Sequence, residues 1–406
     1  VTSGLAGRVA AARTWLPRDA MLLGIAMFCV VSATNIMTPL LPAVRDDFGV
    51  SITTAGVIVG SFGLARLAVD LPAGFLATHV GLRRMSIFAA ILLIVASVVG
   101  LQAGSVEALI AARIGSGIGV GILATVILAA LSAMATPADR GKLMSLYPMA
   151  NNFGIAFYPL LGGALGTFFG WRITFAITAV LAAVAAAILL PMLYRIDLRR
   201  HDVKRAEAPD PRVLHGRRLT IALIVTNAGV VANMIHRHGV RNTILPLYAA
   251  TVLGLGGFSI ATAIAAMAIT GFIVMAPGGM LGDRIGRRRV ISAGLAAVAI
   301  GDLAFLLTGD FLTFLIVAAV IGCGDFFSSS QTALLSEIVP PHQRTWVLSG
   351  YRFSSDLGAL IGPILLAVIM DTVSVQAAIV TASGILLLAA LAARLGVPAH
   401  VDDPVE

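Results

Sequence analysis

Charged residues are scarce in this chain. Asp, Glu, Lys and Arg make up 12% of 406 residues, about half the share of a soluble domain, while 58% are hydrophobic and mean hydropathy is +0.97. So little polar surface cannot solvate a globule of this length, whereas a lipid-facing surface needs no charge. Aromatics are also few, at 6%, and 42 glycines suit close helix packing in lipid. The two cysteines, Cys29 and Cys323, fall inside apolar runs, which excludes a disulfide framework. His79, His201, His215 and His342 lie in loops without the neighbours a metal site requires, so no metal is expected. No phosphate-binding loop and no nucleophile elbow occur, which argues against an enzyme, against ATP-driven work and against a bound cofactor.

What the chain has instead is apolar runs. A hydrocarbon core needs about 20 apolar residues per helix. Runs of that length centre near Phe28, Phe62, Leu93, Ile118, Phe157 and Val180, and again near Thr226, Ala268, Ala297, Val320, Leu360 and Leu386. The pattern predicts an all-α membrane protein with twelve spans. The first run follows Arg8, Arg13 and Arg18 as a signal peptide would, but its length and the eleven runs after it favour a span.

A net charge of +8 does not point to nucleic acid, because the basic residues sit in short clusters between spans. Lys and Arg collect at the N-terminus, at Arg83–Arg84, Arg140–Lys142, Arg195 to Arg218, Arg284–Arg289 and Arg344. The alternate loops hold chiefly Arg45 and Arg172. About twenty basic residues against two places both termini in the cytoplasm, in the plasma (inner) membrane. The polar stretch at 195–217 reads as a cytoplasmic linker between units 1–194 and 218–406.

A shift of about 204 residues aligns the two units. Leu41–Pro42 falls on Leu245–Pro246, Ser132 on Ser336, Pro137 and Arg140 on Pro341 and Arg344, and Pro159 on Pro363. With one extra residue, Gly74 and Gly81 fall on Gly279 and Gly286. Registered landmarks along six helices indicate duplication, hence two pseudo-symmetric six-helix bundles about an axis along the membrane normal, with a site where they face each other.

The loop Gly279-Met-Leu-Gly-Asp283-Arg284-Ile-Gly286-Arg287-Arg288-Arg289 resembles the signature loop of the major facilitator superfamily. Its first-half copy runs from Gly74 through Thr78 and Gly81 to Arg83, with Thr78 where the family has an acid. Arg113-Ile-Gly-Ser-Gly117-Ile-Gly119 is similar to the family's fourth-helix element. The run Gly154-Ile-Ala-Phe-Tyr158-Pro159-Leu-Leu-Gly162-Gly163 resembles the fifth-helix packing motif of proton-linked exporters, with Tyr158 in place of a glycine. The set looks most like the twelve-span drug:proton antiporter branch. The resemblance implies the major facilitator fold and a conformational latch in which Asp283 works with Arg284 and Arg287. In the first half Thr78 offers only a hydrogen bond. It also implies that Arg113 tunes the proton affinity of a nearby acid as substrate binds.

Charges inside spans carry the most information, because each costs at least a few kcal/mol at the bilayer centre unless it faces a cavity or a partner. Arg66 and Asp70 are spaced i,i+4 on one helix face, either as a neutralised packing pair or as a proton-sensitive switch. Arg352 and Asp356 repeat that spacing, where the first half has Pro148 and Asn152. Asp325 has no cation near it in sequence, so it is the leading proton-coupling candidate, followed by Asp70 and Asp356; pairing with Arg241 or Arg352 is the alternative. His236-Arg237-His238 and Arg241, near Gly239 and Pro246, form either a substrate-binding patch on a locally unwound helix or an outer-end cluster reaching water and headgroups. Phe157, Tyr158, Phe326 and Phe327 line a pocket or simply pack.

These features imply proton-coupled export of a small organic or drug-like solute by alternating access. The partners are then the solute, protons and lipid, and a monomer is expected. The surplus of arginine supports a second reading, a uniporter or symporter for an anionic metabolite or lipid. Thr78 leaves room for a third, a non-transporting membrane sensor.

Overall fold

In the computed structural model, residues 18–135, 139–195, 213–340 and 343–398 are described, and among them there is helix but no strand. Twelve helices are long and apolar enough to cross a membrane. They are α1 (Arg18–Phe48), α2 (Ile52–His79), α3 (Leu82–Leu101), α4 (Val106–Met134), α5 (Arg140–Phe169) and α6 (Ile173–Arg195). The second set is α7 (Gly216–Thr251), α8 (Gly257–Ile285), α9 (Arg287–Leu307), α10 (Phe311–Glu337), α11 (Arg344–Thr372) and α12 (Val375–Gly396). All twelve expected centres fall inside these helices. The expected linker lies mostly outside the described residues, at 196–212, as do Pro137 and Pro341 of the repeat.

Local chemistry sets the helix ends. Gly81 and Gly286 take φ of +86° and +97°, a region closed to most side chains, and so allow α2 to turn into α3 and α8 into α9. The Ser105 hydroxyl accepts a hydrogen bond from the Ala108 N–H to cap α4. Asp310 and Thr313 cap α10 reciprocally. The Thr313 backbone and hydroxyl, both donating to Asp310, hold its carboxyl below the usual range.

The repeat is visible in how α1 and α7 break. Leu41 begins the short helix Leu41–Phe48 after a 3-10 turn at Thr38–Leu40, and its mate Leu245 begins the short helix Leu245–Thr251. Both breaks hold a proline, which has no N–H for the preceding turn. In α7 the break is a π-helical stretch, Ile235–Ile244. The helix does not unwind near Gly239 and Pro246, as one of the two readings had it; it widens, keeping its backbone hydrogen bonds in the membrane.

The buried apolar side chains form three clusters. One hydrophobic core runs from Ala20 to Leu193. Another runs from Leu214 to Val397, joined by Leu41, Ile52, Ala55 and Val59 of the first half, and a third, smaller one runs from Met37 to Phe175. Phe88, Ile91 and Val95 on α3, and Leu388, Leu391 and Leu395 on α12, are exposed at helical spacing. Such apolar stripes face lipid rather than water.

Candidate functional site

A cavity of about 290 Å³ lies between the two sets of helices. The first half contributes Asn35, Arg66, Asp70 and Tyr147, and the second contributes Arg237, His238, Arg241, Tyr351, Arg352 and Asp356. Tyr147 and Tyr351 are repeat mates on α5 and α11. Of the four aromatics singled out in the sequence, none lines this cavity: Tyr158 stacks on Phe28 at 4.8 Å and Phe327 is fully buried in the core.

Arg66 sits between two acids. Its Nη2 is 3.8 Å from Asp70 on the same helix and 3.6 Å from Asp356 on α11. The Asp70 and Asp356 carboxyls thus flank one guanidinium, one from each half of the chain. The expected i,i+4 partnership of Asp356 with Arg352 is thus replaced by a contact across the halves, and Arg352 has no carboxylate within 4 Å among the described residues.

The basic stretch of α7 divides. Arg237, His238 and Arg241 line the cavity rather than reaching headgroups. The wide π turn brings these positions to one side. His236 points away, and its Nδ1 lies 2.8 Å from Asp302 on α9, both fully buried. Arg237 donates to Asp325 on α10 at 2.6 Å. Asp325 therefore does have a cation, but it is Arg237 and not Arg241 or Arg352.

Charge and glycine are exchanged between the halves. Arg66 on α2 has Gly271 on α8 as its repeat mate, and Asp325 on α10 has Gly121 on α4. A side chain added at Gly121 would meet the Asp70 carboxylate at 3.1 Å, and one at Gly271 would meet the Asp325 Cβ at 3.5 Å. Within each half, a glycine on one helix makes room for a charge carried on another helix of the same half.

Among the described residues, no acid lies within 4 Å of Arg113. Its Nη1 donates to the Ala33 carbonyl at 2.8 Å, and its guanidinium lies 4.7 Å from the Phe62 ring centroid. With His238 and Asn242 it borders a small space adjoining the main cavity.

The halves close on the face bearing Gly49 and Gly254. There α2 lies against α11: a Cβ at Gly63 would come within 2.9 Å of the Ala359 backbone, and one at Gly56 within 2.6 Å of the Pro363 carbonyl. The Thr53 hydroxyl donates to Asp371 at 2.8 Å at the same end. On α5, Gly163 gives the same closeness to Gly257 of α8, at 2.8 Å from its carbonyl, while Gly154 and Gly162 pack on α1. Toward the face with Arg83–Arg84 and Arg287–Arg289, by contrast, Ser349, Gly350, Arg352 and Phe353 of α11 are exposed. The cavity therefore opens to the basic face.

Sequence comparison matches this architecture. The sequence model of the Major Facilitator Superfamily covers residues 23–275 and 238–405. The chain belongs to the major facilitator superfamily. It is 23% identical over 369 residues to the uncharacterized MFS-type transporter MJ1560 of Methanocaldococcus jannaschii, spanning 89% of this chain and 93% of that protein. A POT family transporter in complex with 5-aminolevulinic acid shares its fold at TM-score 0.78 and 13% identity, covering 92% of this chain and 95% of that one. A bacterial homolog of the human lysosomal transporter Spinster does so at TM-score 0.74 and 16% identity, covering 93% and 96%.

In this facilitator the second signature loop is ion-paired. Arg287 donates to Asp283 at 2.8 Å and to Glu337 at the end of α10 at 2.7 Å, while Arg284 is exposed. In the first copy Arg83 stacks over the Tyr194 ring at 3.6 Å. Gly74 and Thr78 lie in α2, but their side chains are outside the described set.

Four participants were not singled out from the sequence. Asp302 has a legible signal, a lone acid in an apolar run. Tyr147 gains meaning only as the mate of Tyr351, and the Thr53–Asp371 contact joins residues 318 apart in sequence.

Proposed function

We propose that this facilitator is a proton-coupled secondary transporter of a small organic solute, working by alternating access. Residues 1–194 and 218–406 are the moving units and 195–217 the linker between them. The basic face, with both termini, is cytoplasmic in the plasma membrane.

One observation carries the reading: Arg66 and Asp70 of one half meet Asp356 of the other across the cavity. In this reading one of the two acids carries a proton, so that a single guanidinium faces a single negative charge. Loss of that proton sets two negative charges beside one cation, and they repel. A second proton leaves Arg66 as a half-buried cation with no counter-charge. Either change weakens the pairing of α2 with α11, so proton occupancy biases which face is closed. Asp325, held by Arg237, ranks behind this pair as a coupling group. Solute binding beside Arg66 competes with the proton, which supports exchange and export. The charged lining and small volume favour a compact polar solute over a bulky apolar drug. The motif of α5 supports the antiporter branch through Gly163, which brings α5 against α8.

The test is proteoliposomes with an imposed pH gradient, challenged with a panel of small organic acids, amides and amines. Solute-induced collapse of the gradient, lost in Asp356→Asn, is the expected result. Flux indifferent to the gradient, or no flux for any solute, overturns the proposal.

A further inference from the structure

Positive charge exceeds negative around the central cavity. Arg66, Arg237, Arg241 and Arg352 line it. Against them stand Asp70, Asp356 and, behind Arg237, Asp325. Three carboxylates thus face four guanidinium groups. Arg113, buried in the adjoining space, adds a fifth with no carboxylate within 4 Å among the described residues. A guanidinium does not shed its proton in a protein.

Two of these cations are under-satisfied in a way a ligand would repair. Arg241 is buried, and its Nε reaches only the Asn242 side-chain oxygen at 3.5 Å. Arg352 is exposed at the mouth and has no ion pair among the described residues. The Nε atoms of Arg66 and Arg237 are buried without an acceptor. Burying cations without counter-charge is strongly unfavourable, and an anion entering the cavity relieves it. Guanidinium forks match carboxylate and phosphate oxygens in pairs.

Resting on the transport reading above, we propose that the solute is a small organic anion, its carboxylate or phosphate held by Arg241 and Arg352. The hydroxyls of Tyr147 and Tyr351 supply neutral donors from opposite halves. At about 290 Å³ the cavity lies at the lower end of small-molecule sites, which run from about 300 to 1,000 Å³, so the organic body is compact.

The full chain, purified in detergent, is unfolded thermally with benzoate, phenyl phosphate, benzamide or benzylammonium at matched ionic strength. At least one of the two anions is expected to raise the midpoint, and which one does so separates carboxylate from phosphate recognition. The amide and the amine are expected to leave it unchanged. Arg241→Gln and Arg352→Gln should each weaken the anion effect about tenfold or more. Arg352→Lys, at an exposed position that folding tolerates, should recover part of it. Stabilisation by the amide or amine equal to that by the anions, inaction of both anions, or wild-type response in both glutamine variants overturns the proposal. Binding is read without flux. Gradient-driven movement of only neutral or cationic solutes would sink the substrate class and spare the transport reading. Anion binding without any flux would do the reverse.

Discussion

Asp356 of α11 lies 3.6 Å from Arg66 of α2, and this ion pair joins the two halves of the chain across the cavity. Each helix also carries the glycine or small-residue contacts that close the Gly49–Gly254 face. The pair therefore sits where a change in charge is felt by the interface that must open.

Asp356→Asn should abolish gradient-driven accumulation while leaving solute exchange at equal pH on both sides. Asparagine keeps the side chain's shape but carries no titratable proton. Counterflow and gradient-driven flux measured on the same proteoliposomes check this. Equal loss of both would mean that Asp356 binds solute and does not couple.

Arg66→Gln should lower stability by about 3 kcal/mol, because it strands two neighbouring acids without their cation. Adding Asp356→Asn should return much of that loss. Thermal unfolding of the two single variants and the double gives the coupling energy directly. Additive effects would show that the contact contributes nothing.

Gly63→Leu should hold the Gly49–Gly254 face open. Its Cβ would meet the Ala359 backbone at 2.9 Å, and backbone cannot move aside as a side chain can. In a Cys29→Ser, Cys323→Ser background, a cysteine at Val59 should label faster from that side when Gly63→Leu is present. Unchanged labelling, with the protein folded, would place the closure elsewhere.

His236→Ala should cost about 3 kcal/mol, since Asp302 is fully buried and His236 is its hydrogen-bond partner. His236→Ala with Asp302→Asn should be more stable than His236→Ala alone. If His236→Ala instead leaves the unfolding midpoint in place and removes gradient coupling, this pair takes part in proton transfer.

The spans and the repeat were legible because lipid imposes a simple rule. Each crossing needs about 20 apolar residues, and composition alone reveals that. The charges within spans were equally plain, as the outliers of apolar runs. Their partners were not. Asp325 has no cation near it in sequence, leaving Arg241 or Arg352 as candidate partners, and Arg352 stands at helical spacing from Asp356. Helical spacing predicts neighbours on one helix, but here Arg237 and Arg66 reach them from another.

The sequence by itself determined that this chain crosses a membrane twelve times, that its halves descend from one unit, and that several ionised groups must be sheltered. Local composition and spacing are enough for that. Only the tertiary structure decided which arginine meets which acid, that α7 widens into a π turn beside the cavity, and that α2 and α11 close one face. Those outcomes depend on contacts between residues hundreds of positions apart, and on glycines whose value lies in the neighbour they admit.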